Sequence, residues 1–222
     1  MALTDEAIGR IKGMIVSGEI GPGDRLPNEA DLGERLGLSR NSLREAVKAL
    51  AVIRVLDVRR GDGTYVTSLA PDLLLESLSF VVDFHRDDTV LEFLQVRRIL
   101  EPAATAMAAR RMGHAEVAVL RDLARGPADA SVDGLVAADL EFHRQIAAGS
   151  GNAVLCSLID GLSGPTTRAR IWRGRTQQGA NRRTREQHLA IVDAIANRQP
   201  DLARSWAAVH VAGVEEWLRR AL

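Results

Sequence analysis

The sequence predicts a mainly α-helical protein of two domains: a winged helix-turn-helix with a small β-hairpin wing over residues 1–68, then an all-helical bundle over residues 72–222. Three observations predict it. Two short capped helical segments lie only a few residues apart between positions 28 and 50. Two brief β-prone runs, "VLDV" and "TYVT", flank the glycine-bearing "RRGDG", which suits a tight hairpin tip. From "SLAPD" onward the texture changes to long amphipathic helices with no further strand signal.

Each element follows from local chemistry. Thr4 can cap a first helix, with Asp5 and Glu6 favourably placed in its first turn and Ile8, Ile11 and Ile15 as its apolar stripe. "GEIGPGDRLP" breaks that helix. Asn28 caps a second helix, "EADLGERL", which stops at Gly37, and Ser39 caps a third. Helices are then expected near 72–86, 89–111, 115–125, 133–148, 152–164, 184–198 and 201–221, with Thr89, Asn152 and Asp201 as caps and Gly113 and "GSGN" as stops. Pro102 should kink or break its helix.

The chain has 222 residues, of which 46% are hydrophobic and 26% charged, as in an ordinary soluble globular protein. Cys156 is the only cysteine, which excludes a disulfide framework and a cysteine-based zinc site and suits a reducing compartment. No stretch approaches the roughly 18 apolar residues of a membrane span. The N-terminus carries early acids rather than the apolar core of a signal peptide, so the expected location is the cytoplasm. Net charge is zero, yet residues 35–60 hold seven basic residues against only Glu45 and Asp57. Such local basic charge is what a footprint on phosphate requires.

In "GLSRNSLREAVKAL", Leu43, Ala46, Val47 and Leu50 recur at helical spacing while Arg40, Asn41, Arg44 and Lys48 crowd the opposite face. A recognition helix buries one side and offers the other to the major groove, with its N-terminal residues nearest the base edges. Arginine can pair with guanine, asparagine with adenine, and serine can hold phosphate. A solvated charged face is the plain alternative, and the capped helix pair and basic hairpin weigh against it.

These residues resemble a family. "GDRLPNEADLGERLGLSRNSLREAVKAL" followed by "RRGDGTYV" looks like the winged helix of the GntR transcription regulators, with matching spacings over about residues 4–67. The resemblance implies DNA contacts from Ser39, Arg40, Asn41, Ser42 and Arg44, with Gly61 at the wing tip. It also implies a homodimer on a near-palindromic double-stranded operator. Two positions depart from the family pattern: Ala30 stands where many relatives carry arginine, and Arg54 stands where glycine usually ends the recognition-helix region. Either a non-glycine residue accepts a strained turn at Arg54, or the turn differs.

Histidines occur at 85, 114, 143, 188 and 210. Asp139 and His143 are four apart in "DLEFH" and project from one helical face. His188 is in register with Ile191, Val192 and Ile195, and His210 with Trp206, Val214 and Trp217, so each points inward from its own helix. Core histidines held by hydrogen bonds would look similar, but three inward histidines and an aspartate on three helices suit a divalent metal, Zn²⁺ foremost, with Mn²⁺ or Ni²⁺ as alternatives.

The same segment, about residues 73–218, is similar to the FCD ligand-binding domain of the FadR branch. That resemblance implies Asp139, His143, His188 and His210 as metal ligands. In "VRRILE" it implies Arg97 as the inward cation that meets an anionic effector, with Glu101 one turn on as its partner; an ordinary ion pair is the alternative. The seven arginines between 168 and 185 read as a solvated loop between helices in preference to a second nucleic-acid surface. The expected function is therefore a ligand-responsive transcription regulator, a repressor released by a small carboxylate or sugar acid at a metal site. An enzyme hydrolysing a substrate at that metal is disfavoured because no candidate general base stands beside the ligands. A sensor of the metal itself remains the third reading.

Overall fold

The computed structural model describes residues 2–70, 73, 87–126 and 131–222. The chain divides into two compact units, Met1–Ser77 and Leu78–Leu222. Apart from Leu73, the helix expected near 72–86 lies outside the described residues, as does His85.

The first unit contains α1 (Ala2–Val16), α2 (Glu29–Leu36), α3 (Arg40–Val52) and an antiparallel hairpin of β1 (Leu56–Arg59) and β2 (Gly63–Val66). Thr4 is not a cap, because the good helix formers Ala2 and Leu3 carry α1 upstream of it. The other caps form as read. Asn28 accepts from the backbone N–H groups of Ala30 and Asp31, Gly37 is left-handed at φ 66°, and the Ser39 hydroxyl accepts from the Ser42 N–H at 3.1 Å. The turn after α3 keeps its left-handed geometry without glycine. Arg54 sits at φ 60°, with its carbonyl accepting a 2.7 Å hydrogen bond from the Thr67 hydroxyl, and the strain costs on the order of 1 kcal/mol. Leu43, Ala46, Val47 and Leu50 pack on Ile11, Leu32, Leu56 and Val66, which fixes the face that α3 turns outward.

The second unit contains α4 (Asp87–Arg111), α5 (His114–Arg125), α6 (Val132–Gly149), α7 (Ala153–Thr176), α8 (Ala180–Ala196) and α9 (Pro200–Ala221). α4 packs along α9 and also against α6, α7 and α8, while α5 packs against α6 and α8. Asn152 caps α7 as expected, whereas α4 begins before Thr89, and Gln199 with Pro200 opens α9 in place of Asp201. Gly113 precedes α5 as its N-cap residue.

Two expectations are corrected. Pro102 does not divide its helix, because α4 is continuous. The lost N–H would have met the carbonyl of Arg98, an exposed residue, and burial of Glu101, Pro102 and Ala104 in the bundle offsets the roughly 3 kcal/mol a mid-helix proline costs. The arginine-rich segment is not a solvated loop either. α7 runs through Gly164 and Pro165 to Thr176, and only residues 177–179 separate it from α8. Thr166, Ala169, Arg170 and Arg173, spaced as one helical face, are all buried, and packing of that face carries the helix past the Gly-Pro pair.

Candidate functional site

The winged helix presents Ser39, Arg40, Asn41, Arg44 and Lys48 on the exposed side of α3. Ser42 is turned inward, 8% exposed, with its hydroxyl 2.8 Å from that of Ser39. Arg44 makes an exposed 3.2 Å ion pair with Glu29 of α2, a contact weak enough to be exchanged for a base or phosphate. Gly61 stands at the exposed hairpin tip at φ 74°, a conformation that costs glycine little. Arg25 donates to the Asp62 carbonyl beside it, and the Arg59 guanidinium lies over the Tyr65 ring at 4.3 Å.

The second constellation lies inside the helical unit. α6 supplies Asp139 and His143, α8 supplies His188 and α9 supplies His210, and one ligand atom from each lies within 4.8 Å of every other. His188 Nε2 is 3.4 Å from Asp139 Oδ1 and 3.4 Å from His210 Nε2, and His143 Nε2 is 3.8 Å from Asp139 Oδ1. Four donors at bond lengths near 2.1 Å around one tetrahedral ion would sit about 3.4 Å apart. All three imidazoles are at least 94% buried.

The outward nitrogens are held by residues the sequence reading did not assign to them. His143 Nδ1 donates to Glu101 Oε2 at 3.0 Å, and His210 Nδ1 lies 3.1 Å from Gln187 Oε1, which can only accept. Each contact places the proton on Nδ1 and leaves the Nε2 lone pair facing the cluster. His143 Nε2 is buried there with no hydrogen-bond partner. A hydrogen-bonded core cluster would not leave it so, and an orphaned lone pair among imidazole and carboxylate donors fits a divalent first-row ion.

Electrostatics prepare these groups. Burial pushes the Asp139 carboxyl upward, but Arg170 foremost, with the neighbouring imidazoles and Arg97, outweighs burial and holds it well below the usual carboxylate range. Arg170 Nη1 pairs directly with Asp139 Oδ2. Glu101 is lowered in the same way against burial by Arg97 and His143. Burial pushes His188 down to about 3, and burial followed by His188 and His143 pushes His210 well below its ordinary value. Both rings are therefore neutral at pH 7, as ligation requires.

Arg97 is 2% exposed; its Nε donates to Glu101 Oε1 at 2.5 Å and its Nη1 to the Thr166 hydroxyl at 3.0 Å. The plain ion pair is thus present, and Arg97 also lines a pocket of about 80 Å³ together with Asp139, His188, His210, Arg170 and Arg173. Arg170 and Arg173 were missed because their segment read as a charge run. The spacing Thr166, Ala169, Arg170, Arg173 was the signal that could have found them. No helix among the described residues is long and apolar enough to cross a membrane.

A winged helix with a basic reading face, joined in one chain to an all-helical unit, defines the class: a DNA-binding transcription regulator with a separate helical domain. Residues 3–66 match the bacterial regulatory proteins of the gntR family and residues 92–213 match the FCD domain, so the chain belongs to the GntR family and carries an FCD domain. It is 29% identical over 212 residues to the HTH-type transcriptional regulator LutR of Bacillus subtilis (strain 168), covering 92% of this chain and 96% of that protein. It is 27% identical over 218 residues to the galactonate operon transcriptional repressor of Escherichia coli (strain K12), covering 94% and 93%. Among solved structures, Streptococcus agalactiae GntR superposes with a TM-score of 0.73 at 26% identity, covering 97% of this chain and 100% of that one. These relatives are transcription regulators rather than enzymes.

Proposed function

We propose that this regulator is a repressor whose grip on its operator is released by a small carboxylate or sugar acid, bound in the helical domain beside a divalent metal. Asp139, His143, His188 and His210 would hold the metal, with Zn²⁺ the best match to a tetrahedral imidazole and carboxylate set and Mn²⁺ or Ni²⁺ also suited to it. The observation that carries this reading is the buried His143 Nε2, unpartnered and aimed among three other donors. When bound, such an ion would supply a Lewis-acidic centre, and an oxygen ligand would add by raising its coordination number above the four that the protein provides. Arg97, buried in the pocket wall, would neutralise the effector's carboxylate through a charge-assisted hydrogen bond. The galactonate operon repressor and the putative L-lactate dehydrogenase operon regulatory protein of Escherichia coli, by their names, concern hydroxy acids, which supports this effector class.

On the DNA side, Arg40, Asn41 and Arg44 would read base edges, Ser39 would hold phosphate at the helix start with inward-turned Ser42 bracing its hydroxyl rather than touching DNA, and Gly61 would let the wing tip approach the backbone. The protein would act as a homodimer on a near-palindromic operator, two winged helices meeting two half-sites. Exposed Val96 and Ile99 on α4, with Leu202 and Val209 on α9, are apolar surface such a dimer would bury. By linkage, an effector that weakens operator binding is itself bound less tightly by the DNA complex.

The test has two parts on the full chain. Elemental analysis of protein purified without added metal, then loading with Zn²⁺, Mn²⁺ or Ni²⁺, should find close to one ion per chain, lost in His188→Ala and His210→Ala. A thermal-shift panel of hydroxy and sugar acids should then raise the melting temperature of the loaded protein. Wild-type protein that cannot be loaded would return Asp139 and the three histidines to the role of a polar core cluster.

A further inference from the structure

The pocket beside the histidine cluster carries more positive charge than one carboxylate requires. Five arginines line it (Arg97, Arg125, Arg170, Arg173 and Arg185) against a single acidic residue, Asp139. Three of these cations are already answered: Arg97 by Glu101, Arg170 by Asp139 and, at the exposed edge, Arg125 by Asp122 at 3.8 Å. Arg173 is different. It is 5% exposed, yet among the described residues no carboxylate pairs with it, and its one hydrogen bond runs from Nε to the neutral Gln177 side chain at 2.7 Å. Burial lowers its affinity for its proton, Arg183 adds to the effect, and Asp139, acting without direct contact, offsets it only in part. A buried guanidinium that lines a pocket and whose one side-chain hydrogen bond is to an amide has donors left for an anion that arrives from outside.

Position along α7 says where that anion would sit. Arg97 reaches α7 at Thr166, Arg170 lies one turn further, where it meets Asp139, and Arg173 is nearly one more turn on. Three residues of helix advance about 4.5 Å, so Arg173 enters the pocket nearly one turn further along α7 than Arg170, which pairs with Asp139. One carboxylate held at Arg97 and the cluster would leave Arg173 unanswered.

We propose that the effector is anionic at both ends, a sugar diacid or a phosphorylated sugar acid, with its far anionic group bound by Arg173. This rests on the reading of the pocket as a carboxylate site and specifies its ligand class. Monoacids would occupy the near end alone and bind more weakly.

Matched pairs test it on the metal-loaded full chain by calorimetry and thermal shift. Galactonate and galactarate differ only at the far carbon, as do gluconate and glucarate, and 6-phosphogluconate places a phosphate there. At least one of the dianionic ligands should bind ten-fold or more tightly than its monoacid, and the arm that does so distinguishes carboxylate from phosphate. Arg173→Gln should bring that ligand's affinity down to the monoacid's while leaving the monoacid's unchanged, and Arg173→Lys should keep part of the preference. The melting temperature of each unliganded variant checks that it folds; if Arg173→Gln does not fold, Arg173→Lys and the wild-type pairs decide. Equal affinity for monoacids and their dianionic counterparts, or an Arg173→Gln that weakens both alike, would overturn this inference while leaving the carboxylate reading standing. Failure of every acid to bind would overturn both.

Discussion

Gln187 offers a sharp test of the histidine cluster, because it touches the site only through His210. Its Oε1 lies 3.1 Å from His210 Nδ1, and it is half-buried on the turn of α8 that also carries His188. Replacing such a partner of a metal-ligating histidine typically costs 10- to 100-fold in metal affinity, about 1.4 to 2.7 kcal/mol, because the ring loses its tautomer and aim. At free metal equal to 100 times the wild-type dissociation constant, binding stabilises the wild type by about 2.7 kcal/mol. In Gln187→Ala the same free metal is only about one to ten times the new constant, and stabilisation falls to roughly 0.4 to 1.4 kcal/mol. For a domain of this size 1 kcal/mol moves the midpoint by about 2 to 4 °C, so a metal-induced shift of about 5 to 11 °C should shrink to about 1 to 6 °C. The metal-free variant should melt close to wild type, having lost one neutral hydrogen bond worth about 1 kcal/mol. The assay is a melting curve by circular dichroism in a metal buffer, with and without chelator. Metal affinities equal within three-fold would refute the reasoning, showing that His210 needs no help from Gln187 or takes no part in binding metal.

Three further outcomes are expected. Arg170→Met, which leaves Asp139, 15% exposed, without its guanidinium partner, should destabilise the metal-free protein by up to about 3 kcal/mol, and metal loading should recover much of the loss; a variant as stable as wild type before loading would remove the ion pair from the account. Arg44→Ala should cost about 1 to 3 kcal/mol in operator binding while leaving stability almost unchanged, since its ion pair with Glu29 is exposed; undiminished discrimination between operator and random DNA in a mobility-shift assay would take Arg44 off the reading face. The metal-free protein should lose stability as pH falls from about 7 toward 5: His188, pushed down to about 3, and His210 stay neutral when folded, whereas unfolded histidine takes up a proton near 6.5. The unfolded state then binds more protons, so stability is complete above that value and drops below it, and a melting temperature independent of pH between 7.5 and 5.5 in chelator would contradict this.

The parts of the fold legible in the sequence were those written in short-range chemistry. Asn28, Gly37, Ser39 and Asn152 each satisfy or end a helix through atoms within three or four residues, so their roles needed no knowledge of the tertiary structure. The same locality misled where packing decides. Pro102 and the Gly164-Pro165 pair are breakers by propensity, but α4 and α7 each pack against several other helices, and burial of one face outweighs the local penalty. Arg54 shows the reverse case, a strained conformation whose support comes from Thr67, thirteen residues away across the hairpin.

The site divides along the same line. Register alone could place His188 and His210 inward and put Asp139 beside His143, because each statement concerns one helix. It could not show that Glu101 turns His143, that Gln187 turns His210, or that Arg170 anchors Asp139, because each of these contacts joins two helices. Those contacts decide the chemistry. Without Glu101 and Gln187 the lone pairs have no assigned direction, and without Arg170 the Asp139 carboxylate would lose the strongest of the charges that offset its desolvation. What distinguishes a metal-ready cluster from a polar core is therefore not the four ligands but the three residues behind them. Arg170, which looked in the sequence like one cation in a solvated run, is the charge that most strongly holds the Asp139 carboxyl below its usual range.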